Sequence, residues 1–184
     1  MTQPVAYHPV AKSLHWLIAA LILALLVVGH VMDELPKGPL RALVYDIHKQ
    51  VGVAVILLGI ARIAWRLAMG APPLPDSMPA RDRLLAHAAH FALYVLMLAM
   101  PAAGVLMSQS GGHPVVLLGM PVPVLVAKAK DLNEFFESAH GLLGWATVGL
   151  VTLHVAAALD HRFRRKDGIM ARMLPRCCGG RCPP

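Results

Sequence analysis

Four stretches of the chain are almost wholly apolar, and the polar residues gather between them. They run roughly from Leu14 to Met32, Val44 to Trp65, Leu84 to Met107 and His140 to Leu159. A helix needs about 20 mostly apolar residues to cross the hydrocarbon of a bilayer, so the pattern predicts four membrane-spanning helices. Composition agrees: 57% of the 184 residues are hydrophobic and 15% are charged, a poor match to a soluble domain. After the four spans no length remains for a second domain. The first stretch differs from a signal peptide. It lacks a clear small-residue cleavage site and carries His15 and Trp16 at its start, so it is expected to stay in the membrane.

The connections are read from their helix breakers. Residues 33–43 hold Pro36, Gly38 and Pro39 and form a short turn, while Gly70 to Pro79 contains the run Ala-Pro-Pro-Leu-Pro. Pro101 falls inside the third span, where it removes one backbone hydrogen bond and should kink the helix. Ser108 to Ala139 is the longest connection. Its apolar part, Val115 to Val126, is broken by Pro121 and Pro123 and is too short to span, so it is expected to lie as a cap over the bundle.

Charge sets the orientation, because basic residues flanking the spans are held in the cytoplasm. With both termini cytoplasmic, twelve of the 17 Lys and Arg residues lie inside; Lys37, Arg41, Lys49, Lys128 and Lys130 lie outside. The formal charge of +7 is then a topology signal and implies no nucleic-acid partner. The fold expected is an all-α integral membrane four-helix bundle, N-in/C-in, over residues 1–175. Residues 176–184 form a basic tail expected to be disordered. Its Cys177, Cys178 and Cys182 would face a reducing compartment, which argues against a disulfide, and three thiols alone do not complete a zinc site.

Ten histidines change the picture, since an imidazole in hydrocarbon needs a partner for its polar nitrogens. His140 and His154 are fourteen residues apart, close to four whole turns, so both project from nearly one face about 21 Å apart. His15 lies near the inner start of the first helix and His48 near the outer start of the second. Two layers result, His48 with His140 outside and His15 with His154 inside. Facing imidazoles provide the axial ligands of a six-coordinate haem. The absence of a Cys-x-x-Cys-His sequence means a haem held without thioether links. Gly52, Gly141, Gly144 and Ala156 to Ala158 supply small residues beside the ligands. Each histidine could instead be an ordinary hydrogen-bonded core residue. His87 and His90 compete for the inner layer, and His30 competes with His48 for the outer. His161, seven residues beyond His154, reads either as a proton donor or quinone contact or as a surface residue among Asp160, Arg162 and Arg164. His8 and His113 read as loop residues.

Together these blocks resemble the bacterial cytochrome b561 family: Ser13-Leu14-His15-Trp16, Ile47-His48 with Gly52, Ala86-His87-Ala88-Ala89-His90 leading to Leu93-Tyr94, Pro101 with Gly104, His140, and Leu153-His154 through to Asp160-His161. The resemblance extends from about Lys12 to Pro175. It implies four transmembrane helices of the inner membrane and two non-covalent haem b groups on His15, His48, His140 and His154. It also implies a superoxide oxidase activity, in which periplasmic superoxide reduces the outer haem and the inner haem reduces ubiquinone, with His161 at the quinone. Arg162 stands where the family pattern has a second histidine. Among the outer cations, Arg41 and Lys49 are expected to steer the superoxide anion, alongside Lys37, Lys128 and Lys130. Two other roles fit the sequence: a haem-b anchor or relay subunit for a periplasmic redox partner, and a histidine-based metal transporter. The latter is disfavoured because Asp46 and Asp160 lie only at the span edges.

Overall fold

The computed structural model describes residues 6–75 and 78–174. Its long elements are four helices, α1 (Pro9–Val31), α2 (Pro39–Met69), α3 (Ala80–Ser110) and α4 (Lys130–Asp160). All four are long and apolar enough to cross a membrane, which bears out the four spans. Three of them have 31 residues, about 46 Å of helix against roughly 30 Å of hydrocarbon. Their polar ends therefore stand in the headgroup region, and α4 starts ten residues before the apolar stretch that predicted it. The cysteine-containing tail lies outside the described residues.

Local chemistry sets the helix ends. Pro9 and Pro39 open α1 and α2, where a missing N–H costs nothing. His8 Nδ1 accepts a hydrogen bond from the Val10 N–H at 3.2 Å, so this residue is a helix cap and no loop bystander. Gly70, at φ 71°, turns the chain out of α2 through the left-handed region open to glycine. Pro101 lies buried within α3.

Close helix packing follows chain order, α1 on α2, α2 on α3 and α3 on α4. The centre is formed by Ile18 and Leu25 of α1, Val55 of α2 and Met97 of α3. Large apolar side chains such as Leu17, Val27, Leu57, Phe91, Leu142 and Leu153 point outward, as a lipid solvent allows.

At one end of the bundle the α3–α4 connection folds back as a cap, now with a small antiparallel hairpin of β1 (Val116–Leu117) and β2 (Met120–Pro121). Val115, 1% exposed, packs against Val53 and Val105. Gln109 lashes the loop with both ends of its amide: Nε2 donates to Pro123 O at 2.8 Å, and Oε1 accepts from Leu125 N at 2.9 Å. We call this the hairpin end.

The other end, here the termini end, carries the first and last described residues, Ala6 and Leu174. After α4 the chain makes a single π turn (His161–Arg165) and runs back across the start of α1. Lys12 Nζ donates to Leu174 O at 2.8 Å, Trp16 Nε1 to Met173 O at 3.0 Å, and Tyr7 N to Arg172 O at 3.2 Å. Lys12 is only 8% exposed, so its ammonium depends on that carbonyl. Replacing Val115 by Ala is expected to cost about 2 kcal/mol, seen as a lowered thermal midpoint in detergent. A loss under roughly 0.5 kcal/mol, the size of a surface substitution, would show that the cap contributes no packing.

Candidate haem-binding interior

Across the bundle, α4 faces α1 and α2 through histidines. At the hairpin end the rings of His48 (α2) and His140 (α4) have centroids 6.4 Å apart with planes at 81°. At the termini end His15 (α1) and His154 (α4) are 6.3 Å apart with planes at 68°. The two layers expected from the sequence are therefore both assembled, with each of the four histidines opposite its expected partner. All four residues are half-buried.

The spacing can be compared with the group that such pairs hold. Two metal–nitrogen bonds of about 2 Å, with each ring centre about 1 Å beyond its nitrogen, put the centroids of two axial imidazoles about 6 Å apart. Both pairs fit. At the hairpin end the second nitrogens add to this. His140 Nδ1 lies 3.0 Å from Met100 O. A carbonyl only accepts, so Nδ1 carries the proton and Nε2 keeps its lone pair for a metal. The buried His48 Nδ1 has no hydrogen-bond partner among the described residues, as expected of a ring whose polar atoms await another group.

Glycines that the sequence did not single out as relief for the rings perform that role. A Cβ at Gly104 would stand 2.9 Å from His140 Cε1, and one at Gly29 would stand 3.3 Å from His48 Cε1. At Gly141 and Gly144 a Cβ would meet nothing within 4 Å, and at Gly52 only Pro101 at 3.9 Å. The missed signal was spatial: Gly29 and Gly104 lie on helices other than the ring each one admits.

The competing histidines separate. His30 Nδ1 is bonded to Leu26 O at 2.7 Å and its ring packs edge-on against Trp145, so it is turned away from His48. His90 stands 5.7 Å from the His154 ring, closer than His15 does, and the termini-end layer thus contains three imidazoles. His90 and His87 are more exposed than the four facing residues.

The peripheral candidates are engaged in ion pairs. Arg41 contacts Asp33 at 3.3 Å and donates to Leu35 O; Tyr45 also bonds to Asp33. Lys49 pairs with Asp46 at 3.0 Å. His161 Nδ1 is 2.5 Å from Asp167 Oδ2, and Arg165 links Asp160 at 2.7 Å to Asp82 at 2.5 Å. Beside these, a cleft of about 210 Å³ is lined by Pro75, Met78, Pro79, Arg165, Asp167 and Ile169. Asp167 thus stands between the cleft and His161.

A membrane four-helix bundle with facing histidine pairs is the architecture of a b-type cytochrome. The family model for prokaryotic cytochrome b561 matches residues 6–176, and the chain belongs to that family. It is 32% identical over 180 residues to cytochrome b561 homolog 2 of Escherichia coli (strain K12), covering 93% of this chain and 92% of that protein. It is 26% identical over 170 residues to the probable superoxide oxidase CybB of Yersinia pestis, covering 92% and 96%. To cytochrome b562 of Cereibacter sphaeroides it is 27% identical over 183 residues, covering 95% and 98%. The protein is accordingly a multi-pass inner-membrane cytochrome that binds haem b and transfers electrons.

Gly104→Ala places a methyl group 2.9 Å from His140 Cε1. It is expected to displace that ring from Met100 and change the low-spin ferric signal of the purified cytochrome. An unaltered spectrum would separate His140 from the iron.

Proposed function

We propose that this protein is a di-haem superoxide:ubiquinone oxidoreductase. It takes electrons from superoxide at the periplasmic face and delivers them to ubiquinone at the cytoplasmic face. The reading rests on one observation above all: two histidine pairs with centroids 6.4 and 6.3 Å apart, one toward each end of the bundle. His48 and His140 hold the outer haem, and His15 and His154 the inner. The termini end is cytoplasmic because it carries Lys12, Arg62, Arg66, Arg81, Arg83 and the run from Arg162 to Lys166.

The haems supply one-electron redox chemistry; the chain supplies ligands, access and protons. Two superoxide anions lose one electron each and leave as two O2, and ubiquinone takes both electrons with two protons to become ubiquinol. At the outer face Arg41 and Lys49 attract the anion, although Asp33 and Asp46 temper their fields. At the inner face the cleft beside Asp167 admits the quinone head. Its volume of about 210 Å³ suits a single ring better than a drug-sized ligand, which takes roughly 300–1,000 Å³. His161 Nδ1 stands 2.5 Å from Asp167 Oδ2, and Asp167 lines that cleft, so the pair can pass a proton toward a reduced quinone oxygen.

Iron content and spectra test the ligands. His48→Ala and His140→Ala should each remove the same haem, lowering iron from about two per chain to about one. His15→Ala and His154→Ala should remove the other, and His90→Ala should keep both. Loss of a haem in His90→Ala with retention in His15→Ala would reassign the inner ligand. For activity, purified protein supplied with a superoxide generator should reduce a ubiquinone analogue faster than the spontaneous reaction. His161→Ala should lower that turnover by roughly 100-fold or more at unchanged haem content. A wild-type rate no higher than background would assign the relay role instead.

A further inference from the structure

Helix α2 presents His48 to the outer layer, and fourteen residues later, on the same face and about 21 Å deeper, it presents Arg62. Arg66 follows one turn on. Both guanidinium carbons stand 5.9 Å from the ring centre of Tyr94, which itself lies one turn beyond His90 on α3. Arg62, Arg66 and Tyr94 line one small cleft with Tyr7, Ala11 and Trp65. Arg62 and Arg66 are half-buried. Two cations one turn apart repel each other, and their burial near the end of a span is costly without counter-charge. Yet among the described residues neither makes an ion pair with a carboxylate. Of the five donors of Arg62, the one bond made among the described residues goes to Ala11 O at 2.8 Å, and the side chain of Arg66 makes none among them. Donor capacity and positive charge at the depth of the inner histidine layer are therefore both in excess.

Guanidinium groups match carboxylates through paired N–H···O bonds, and each haem b carries two propionate carboxylates. We propose that Arg62 and Arg66, arrayed on Tyr94, form the clamp that takes the propionates of the inner haem. This rests on the reading that the His15–His154 layer holds a haem. The clamp fixes the rotation of the macrocycle about the iron axis and neutralises its carboxylates. Its positive charge also favours the reduced haem, because reduction adds one negative charge beside two cations. An anionic lipid phosphate offers the same oxyanion chemistry from the membrane side, and the experiment separates the two.

The full-length cytochrome, its R62Q and R66Q variants and the conservative R62K variant are placed in nanodiscs of neutral phosphatidylcholine, with and without phosphatidylglycerol. Haem is counted as the pyridine haemochrome, both midpoint potentials are titrated, and propionate bending modes are read by resonance Raman. R66Q removes no hydrogen bond within the described chain, so its fold should be kept. In neutral lipid, R62Q and R66Q should each lower the potential of the haem lost in His15→Ala, leave that of the His48–His140 haem in place, and shift the propionate modes; R62K should restore most of the potential. Wild-type protein loaded with the dimethyl ester of haem should already show the lowered potential, with no further fall in R66Q. Two haems with unmoved potentials in both variants would overturn the clamp alone. So would a shift that persists with the ester, or that occurs only with phosphatidylglycerol, which would assign the site to lipid. A wild-type chain with only the outer haem would overturn the two-haem reading and the clamp with it.

Discussion

The arrangement of this bundle depends on what an imidazole costs in hydrocarbon. Each ring has two polar nitrogens, and within a span there is no water to satisfy them. The chain answers by facing the rings in pairs across its interior. His140 gives one nitrogen to the Met100 carbonyl while its ring faces that of His48; at the opposite end His154 meets His15 with His90 beside it. Helix α4 packs closely on α3 and also carries one member of each pair, its histidines facing α1 and α2.

Both ends of the bundle serve that interior in different ways. At the hairpin end Val115 seals against Val53 and Val105, and Gln109 ties the loop down by bonds to its backbone. At the termini end the return segment is pinned to α1 by Lys12 and Trp16, and Trp16 also packs edge-on against His15 at 5.3 Å. One short segment thus links the His15–His154 layer, the His161–Asp167 pair and the cleft lined by Asp167. The hairpin end is built differently: there Arg41 and Lys49 are paired with Asp33 and Asp46.

Much of this was legible beforehand. The four spans came from apolar length alone, and the two layers came from the spacing of His140 and His154 combined with the positions of His15 and His48. Both signals are one-dimensional, since helix rise and period convert residue number directly into depth and direction. The cap over the hairpin end was also foreseeable from Pro121 and Pro123, although its strands were not. What escaped was contact between residues remote in sequence. Gly104 looked like one small residue among many until His140 was placed against it, and His8 looked like a loop residue until its ring was seen to cap α1.

The sequence by itself determined that this is a four-span membrane protein with histidines at two depths, because hydrocarbon thickness and helix geometry leave few other solutions. Tertiary structure alone decided which rings face one another, which glycines admit them, that Arg41 and Lys49 are paired, and that Arg62 and Arg66 share Tyr94 with no carboxylate among the described residues. Those facts depend on how the helices are rotated and spaced about the bundle axis. That rotation is set by the summed packing of many side chains, and no local stretch of sequence encodes it.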